Sequence, residues 1–243
     1  MIDVIELESC ESTNTYLSGV ACGLTRDTVV TAREQTAGRG QRGNSWEASP
    51  GLNLTCSLLL MNRKGIKAAG QFAISEAVAL GIVDTVRHFL GEDFEVKVKW
   101  PNDIYVGDRK ICGILIEHSI SNREISRSII GIGINVNQRE FVSDAPNPVS
   151  MFNLINREVA VDEVLRLAVD SIYRRLDGSL EELHRDYNRE LWRKDGNRYM
   201  DAMTGDKFHA VISEVMTDGT LCLVDDEGAE RRYLFKEVAV ARD

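Results

Sequence analysis

From Phe72 to Leu90, apolar side chains return at Ile74, Val78, Ile82, Val86 and Phe89, a helical spacing that keeps one continuous face. The stretches on either side carry the period of strands. Residues 4–8 alternate, residues 28–32 are β-branched, and residues 52–60 alternate first and then turn continuously apolar. Past the helix, Val96 and Val98 fall on one face of a strand and Lys97 and Lys99 on the other. Residues 104–106, the Gly107-Asp108 turn and residues 110–117 read as a hairpin. Residues 125–136 read as a further strand, interrupted by Gly131 and Gly133. Ser12, Thr13 and Asn14 are good N-caps for a short helix through Tyr16 and Leu17. Asp162 is expected to cap a helix with Leu165, Ala168, Val169, Ile172 and Leu176 inward, and Ser179 with Glu182 spells a capping box for a helix through Leu183, Tyr187 and Leu191. After Arg193 no helical period remains. Residues 208–215, 221–224, 231–235 and 238–240 read as short strands, with turn signals at Asp218-Gly219 and Glu227-Gly228. Residues 195–243 are therefore expected to form a small barrel-like module behind a larger domain of residues 1–194.

With 29 basic and 38 acidic residues the chain of 243 carries a formal charge of −9. That balance argues against coating duplex nucleic acid or a membrane surface, both of which call for a basic field. The longest apolar run, at residues 58–61, falls far short of the ~20 residues of a membrane span. Met1-Ile2-Asp3 does not open a signal peptide, so a cytoplasmic location is expected, with no nucleic acid and no membrane among the partners. Cys10, Cys22, Cys56, Cys112 and Cys222 are scattered without a C-x-x-C pair, and the four histidines do not cluster. Neither a disulfide framework nor a zinc site is indicated.

The segment from Glu34 to about Pro50 is polar, glycine-rich and too long for a mere connector. Residues 33–43 hold three arginines and one acid. Gly38, Gly40 and Gly43 free the backbone to approach a ligand, and Arg39 and Arg42 add fork donors matched to phosphate or carboxylate. On composition alone, an anion clamp and a solvated loop weigh about equally. No Gly-Lys-Ser/Thr follows, as a Walker A loop requires, and the segment leads to Trp46 and a strand rather than opening a helix. A second cluster is Lys99-Trp100-Pro101-Asn102-Asp103, with Lys110 beyond the turn. Pro101 holds Trp100 extended and ends the strand, so Asn102 and Asp103 project from its end. A cation at Lys110 would neutralise an attacking carboxylate and an α-phosphate together. Taken alone, an Asx turn with one exposed lysine is the plainer reading. A third piece is Gly131-Ile-Gly-Ile-Asn-Val-Asn137, where Asn135 is able to read an adenine edge and a bulged strand end is again the plainer reading. Cys112 falls on the inward phase of an apolar strand and reads as core.

Together, and in order, these pieces resemble the biotin–protein ligases. The resemblance rests on Ser12-Thr13-Asn14, on Gln35 to Trp46 with its Gly-Arg-Gly-x-Arg-Gly-x-x-Trp ending, on Lys99 to Asp103, on Asp108-Arg109-Lys110 followed by Gly113-Ile114-Leu115, and on Gly131 to Asn137. It implies an α+β fold, a mixed sheet flanked by helices of the class II synthetase-like ligase type, followed by an SH3-like barrel. It also implies a two-step reaction: biotin attacks the α-phosphate of ATP, with Mg²⁺, to give biotinyl-5′-AMP, and a lysine of a biotin carboxyl carrier protein then takes the biotinyl group. The resemblance places Ser12, Thr13, Asn14, Gln35, Arg39, Gly40, Gln41, Lys110 and Gly113 at biotin. It places Arg39, Arg42, Trp46, Lys99, Asn102 and Asn135 at ATP or the adenylate. Lys110, Arg39 and Asp103 become the catalytic set, with Asp103 on the metal. A homodimer, edge to edge through the central sheet, is expected. The ligase-like pattern starts close to Met1, so a ligase without the N-terminal helix-turn-helix of some members is expected. Where the family usually has arginine this chain has Gln41, and Asn44 stands where a basic residue is common. The rivals are a lipoate or octanoate ligase or transferase of related fold and a non-catalytic biotin-binding module.

Overall fold

The computed structural model describes residues 2–61, 67–142 and 147–241, without the side chain of Arg42. Seven strands form one mixed sheet: β1 (Asp3–Cys10), β2 (Thr28–Gln35), β3 (Leu54–Met61), β4 (Val96–Lys99), β5 (Asp103–Val106), β6 (Arg109–Ser121) and β7 (Glu124–Ile134). Their order is β1-β2-β3-β7-β6-β5-β4. Only β1 and β2 run parallel; every other neighbouring pair is antiparallel. Five helices accompany it: α1 (Thr13–Val20), α2 (Phe72–Leu90), α3 (Met151–Ile155), α4 (Val161–Leu176) and α5 (Leu180–Arg189).

α1 covers one face, where Leu17 and Ala21 pack with Val30, Leu59 and Ile129. α2 and α4 cover the other, against Leu54, Leu58, Leu60, Ile130 and Ile132. β3 is buried on both faces. The polar phase of its alternation, Asn53, Thr55 and Ser57, is therefore as buried as the apolar phase and must be satisfied internally. Thr55 Oγ1, for instance, donates to the carbonyl of Ala32 at 2.7 Å. The stretch Ala68–Leu90 is long and apolar enough to cross a membrane by length and composition, yet 61% of its apolar 18-residue window is buried within the protein, as befits a core helix. α2 and α4 meet at Gly81, where a Cβ would lie 2.8 Å from Ile172 Cα.

Several local expectations need correction. Ser12 occupies the N-cap position of α1, but its side chain makes no capping bond. Ala160, not Asp162, is the N-cap of α4, and Asp162 lies in the first turn. The buried stripe of α4 is Val164, Ala168, Ser171 and Ile172, with Leu165 and Val169 only half-buried. Ser179 Oγ accepts the N–H of Glu182 as one half of the expected box, while Leu191 lies past the end of α5 and pairs strand-like with Val98.

A second, antiparallel sheet contains β8 (Asn197–Asp201), β9 (Lys207–Val215), β10 (Leu221–Asp225), β11 (Glu230–Tyr233) and β12 (Val238–Val240), in the order β11-β10-β9-β8-β12. β8 carries no obvious alternation and escapes the sequence reading. Ala210, Ile212, Val215, Leu221 and Leu223 of this sheet are continuous with the main core. Polar ties fix its position. Trp100 Nε1 donates to the carbonyl of Gly219 at 3.0 Å, and Asn188 Nδ2 to that of Val215 at 3.0 Å. Arg193 forks onto Asp108 in the β5–β6 turn at 2.9 and 3.1 Å.

Candidate active site

A cavity of about 590 Å³ lies between the main sheet, the glycine-rich segment and the second sheet. Its floor is the backbone of β6 and β7. A Cβ at Gly133 would lie 2.4 Å from the Trp46 ring, and one at Gly131 would lie 2.3 Å from Asn14 Oδ1. Glycine at these positions lets an indole and a carboxamide rest directly on the sheet.

At one end stand Ser12, Thr13, Asn14 and Gln35. Gln35 Oε1 accepts from the backbone N–H of Thr13 at 2.8 Å and from its hydroxyl at 3.1 Å. Ser57, fully buried on β3, places its hydroxyl between Thr13 Oγ1, at 2.7 Å, and Asn14 Oδ1. Asn14 Nδ2 donates to Glu117 Oε2 at 2.8 Å. Glu117 Oε1 in turn holds Arg39 at 3.1 Å, and Arg39 also reaches Thr15 Oγ1 at 3.4 Å. Ser57 and Glu117 escape the sequence reading. The polar phase of β3 is the only signal for Ser57, and nothing local marks Glu117.

At the other end, Lys110 Nζ and Asp103 Oδ1 form an ion pair at 2.8 Å, both about four-fifths covered. Lys110 reaches this side because of a β-bulge. Ile104 lies opposite Cys112 but Tyr105 lies opposite Lys110, which leaves Ile111 as an extra residue. Regular alternation would put Lys110 on the face of Cys112, in the core. The inserted residue reverses the phase and lays the lysine beside Gly113, whose Cβ would be 3.4 Å from Nζ. Lys110 Nζ also lies 5.7 Å from the Trp46 ring centroid. Trp46 Nε1 is buried and has no hydrogen-bond partner among the described residues. Lys99 donates to Tyr105 Oη at 3.0 Å and sits 4.7 Å above that ring. Asn102 Nδ2 donates to the carbonyl of Ile114 at 2.7 Å, which leaves its carbonyl oxygen available. The Trp100–Pro101 peptide bond is cis. The second sheet and its approach close the cavity with Trp192, Tyr199, Ile212, Phe235 and Lys236.

Of the sequence-derived residues, Ser12, Thr13, Asn14, Gln35, Arg39, Gly40, Gln41, Trp46, Lys99, Asn102, Asp103, Lys110 and Gly113 all line this cavity. Asn135 does not. It is buried just past the end of β7, its Nδ2 donates to the carbonyl of Val149 at 3.1 Å, and its Oδ1 has no partner among the described residues. The side chain of Arg42 lies outside the described residues. Cys112 is fully buried, and burial holds its thiol well above the ordinary pKa despite the pull of Lys110, so it offers no thiolate. The cavity is thus bipolar. One end presents neutral amides and hydroxyls, the other lysines, and a glycine floor under an aromatic cover joins them. That shape suits an elongated ligand with an uncharged polar head and an anionic tail.

Comparison with known proteins agrees with this geometry. The profile of the biotin/lipoate A/B protein ligase family matches residues 6–135. The bifunctional ligase/repressor BirA of Salmonella typhimurium is 31% identical over 245 residues, covering 98% of this chain and 74% of that protein. The biotin–acetyl-CoA-carboxylase ligase of Paracoccus denitrificans is 37% identical over 130 residues, which is 54% of this chain and 53% of the relative. Among solved structures, a biotin protein ligase from Aquifex aeolicus in complex with biotin and ATP superposes with a TM-score of 0.79 at 22% identity, over 99% of both chains. On the matched profile, and on 31% identity to a relative over 98% of this chain, the chain belongs to the biotin/lipoate A/B protein ligase family.

Proposed function

We propose that the chain is an ATP-dependent biotin–protein ligase that makes biotinyl-5′-AMP and passes the biotinyl group to a lysine of a biotin carboxyl carrier protein. The bipolar cavity carries this reading: the neutral cluster at Ser12–Asn14 and Gln35 faces one way and Lys110 the other, in one continuous space. The ureido head of biotin belongs at the neutral end, where hydroxyls and amides offer both donors and acceptors. Its carboxylate belongs beside Lys110.

In the first step a carboxylate oxygen attacks the α-phosphorus, and the bond to the pyrophosphate oxygen breaks. Two anions must approach each other, and a fixed ammonium between them is the group that makes the encounter favourable. Arg39 and Gly40 of the glycine-rich segment, with Gln41, cover biotin and the phosphates, while Trp46, Lys99 and Asn102 border the nucleotide. Asn135 acts from behind the wall, by holding Val149 and so the strand pairing of residues 147–149 along Lys110. Among the described residues no group of three or more His, Cys, Asp or Glu side chains is arranged so as to hold a metal ion. Asp103 with the Asn102 carbonyl oxygen fits Mg²⁺, which commonly takes one or two carboxylates and completes its shell with substrate phosphates. The ion would offset charge on the departing pyrophosphate, while Lys110 exchanges Asp103 for the ligand. In the second step the acceptor amine attacks the carbonyl carbon of the mixed anhydride, AMP departs, and Asp103 is the carboxylate placed to accept the amine proton. A homodimer is supported by the side of β6 that faces away from β7: beyond Gly113 no strand of the described residues pairs with it there, and Ile120 is exposed.

Incubation with ATP, Mg²⁺, biotin and a carrier domain, read by intact mass, tests the reading. The carrier gains one biotinyl group, and Lys110→Ala abolishes the gain while leaving the melting temperature in place. A carrier that stays unmodified beside wild-type protein, or takes lipoate in preference, refutes it.

A further inference from the structure

We propose that Glu117 is a positioning residue for the biotin-reading end of the site, acting through Asn14; the inference rests on the ligase reading above. Asn14 is 3% exposed, so each of its polar atoms needs a partner inside the protein or on a ligand. Its Nδ2 donates to Glu117 Oε2 at 2.8 Å and, more weakly, to the carbonyl of Leu115 at 3.4 Å. Its Oδ1 accepts from Ser57 and lies over Gly131.

An amide inverts its hydrogen-bonding pattern when it flips, and nothing in the amide itself prefers either way. A carboxylate only accepts. Glu117 therefore fixes Nδ2 toward itself and forces Oδ1 to face the glycine floor. Asn14 is held as an acceptor at this end, the complement of a ligand N–H such as a ureido group presents. The second oxygen of the same carboxylate holds Arg39, so one side chain joins the reading amide to the glycine-rich segment that covers the ligand. Glu117 is 40% exposed and fills no space in the core, so its effect on the site is separable from packing.

Lys110 marks the other end of the ligand on the same strand. The two lie seven positions apart on β6, on the order of 20 Å at the rise of a strand. One rigid element thus carries both the anion-facing lysine and the carboxylate that orients the neutral end.

The test is calorimetric titration of the intact chain with biotin alone and with ATP alone, for wild type, Glu117→Gln, Asn14→Ala and the double variant. Glutamine is isosteric, but it presents both a donor and an acceptor and no longer dictates the flip. Glu117→Gln is expected to weaken biotin binding by about tenfold, the scale of one hydrogen bond to a charged group. The melting temperature stays as in wild type, and ATP binding, which senses Glu117 only through its exposed ion pair with Arg39, changes by no more than about twofold. On the Asn14→Ala background the same change adds no more than about twofold, since the group it acts through is gone. Wild-type biotin affinity in Glu117→Gln overturns the proposal. So does a full tenfold effect on both backgrounds, or a loss shared by biotin, ATP and thermal stability. A wild-type chain that binds no biotin at all refutes the ligase reading itself, and the proposal falls with it.

Discussion

Replacing Gly133 by alanine puts a methyl carbon 2.4 Å from Trp46 Cε2 and 2.6 Å from Nε1. Carbon atoms come to rest at about 3.5–4.0 Å, so the indole must withdraw by about 1 Å. The strand cannot yield instead, because Gly133 pairs with Thr55 on one side and Gly113 on the other. Trp46 sits on the loop and moves more readily. Overpacking of this kind costs about 1–3 kcal/mol. Under the proposed function the displaced group borders the nucleotide, so that cost is expected in ligand binding, as a rise of about five- to 150-fold in the KM for ATP measured by ATP–pyrophosphate exchange. Melting temperature should fall little. Trp46→Ala removes the obstacle, so Gly133→Ala introduced on that background should add almost nothing. Gly133→Ala with wild-type kinetics, or equal penalties with and without the indole, would refute the reasoning that the glycine exists to seat the tryptophan.

Gln41→Arg should slow escape of biotinyl-AMP, because a charge-assisted contact to phosphate, about 1.5–3 kcal/mol, replaces a neutral one of about 0.5–1.5; a chase of labelled adenylate measures it, and unchanged release defeats it. Cys112→Ser should retain ligation, and iodoacetamide should modify exposed Cys22 while activity persists, because the Cys112 thiol is buried and held protonated; inactivation at Cys112 would revive a transferase mechanism. Burial pushes Glu190 up, but hydrogen bonds from Arg87 and Lys97 outweigh it and hold the carboxyl below its ordinary range. A depressed carboxylate contributes stability above the unfolded pKa, near 4.3, and that stability is lost as pH falls through the folded value. The denaturant midpoint should therefore drop on acidification below about pH 5, and less steeply in Glu190→Gln; identical slopes would contradict the assignment.

The strands that alternate and the long helix were readable because their periods are set by the backbone, and α2 spans Phe72–Leu90 as its spacing predicts. β8 was not, because its burial rests on packing against β9 and β12 rather than on a hydrophobic pattern of its own. The site residues on the glycine-rich segment and in the Lys-Trp-Pro-Asn-Asp block were visible as clusters of chemistry at short range, and they line one cavity. Glu117 was invisible for the opposite reason: its importance comes from Asn14, 103 positions away in the chain, and no local pattern reports such a meeting. Asn135 shows that residue type names only a capacity: its Nδ2 is engaged by the carbonyl of Val149, while its Oδ1 has no partner among the described residues. Lys110 and Cys112 exposed a contradiction that only coordinates resolve. Two residues apart on a strand they should share a face, yet one is in the cavity and the other in the core.

Ile111 is the reason, and this makes the hairpin hard to transplant. Copying the lysine, the cysteine and the glycine letter for letter onto a regular turn of another protein would aim the amine into hydrocarbon. Deleting Ile111 here would instead leave Lys110 next to Cys112 on a regular strand, on the opposite face and still turned toward the cavity. With the isoleucine in the chain, the kink that absorbs it, and not any chemistry of its own, decides which way the amine points.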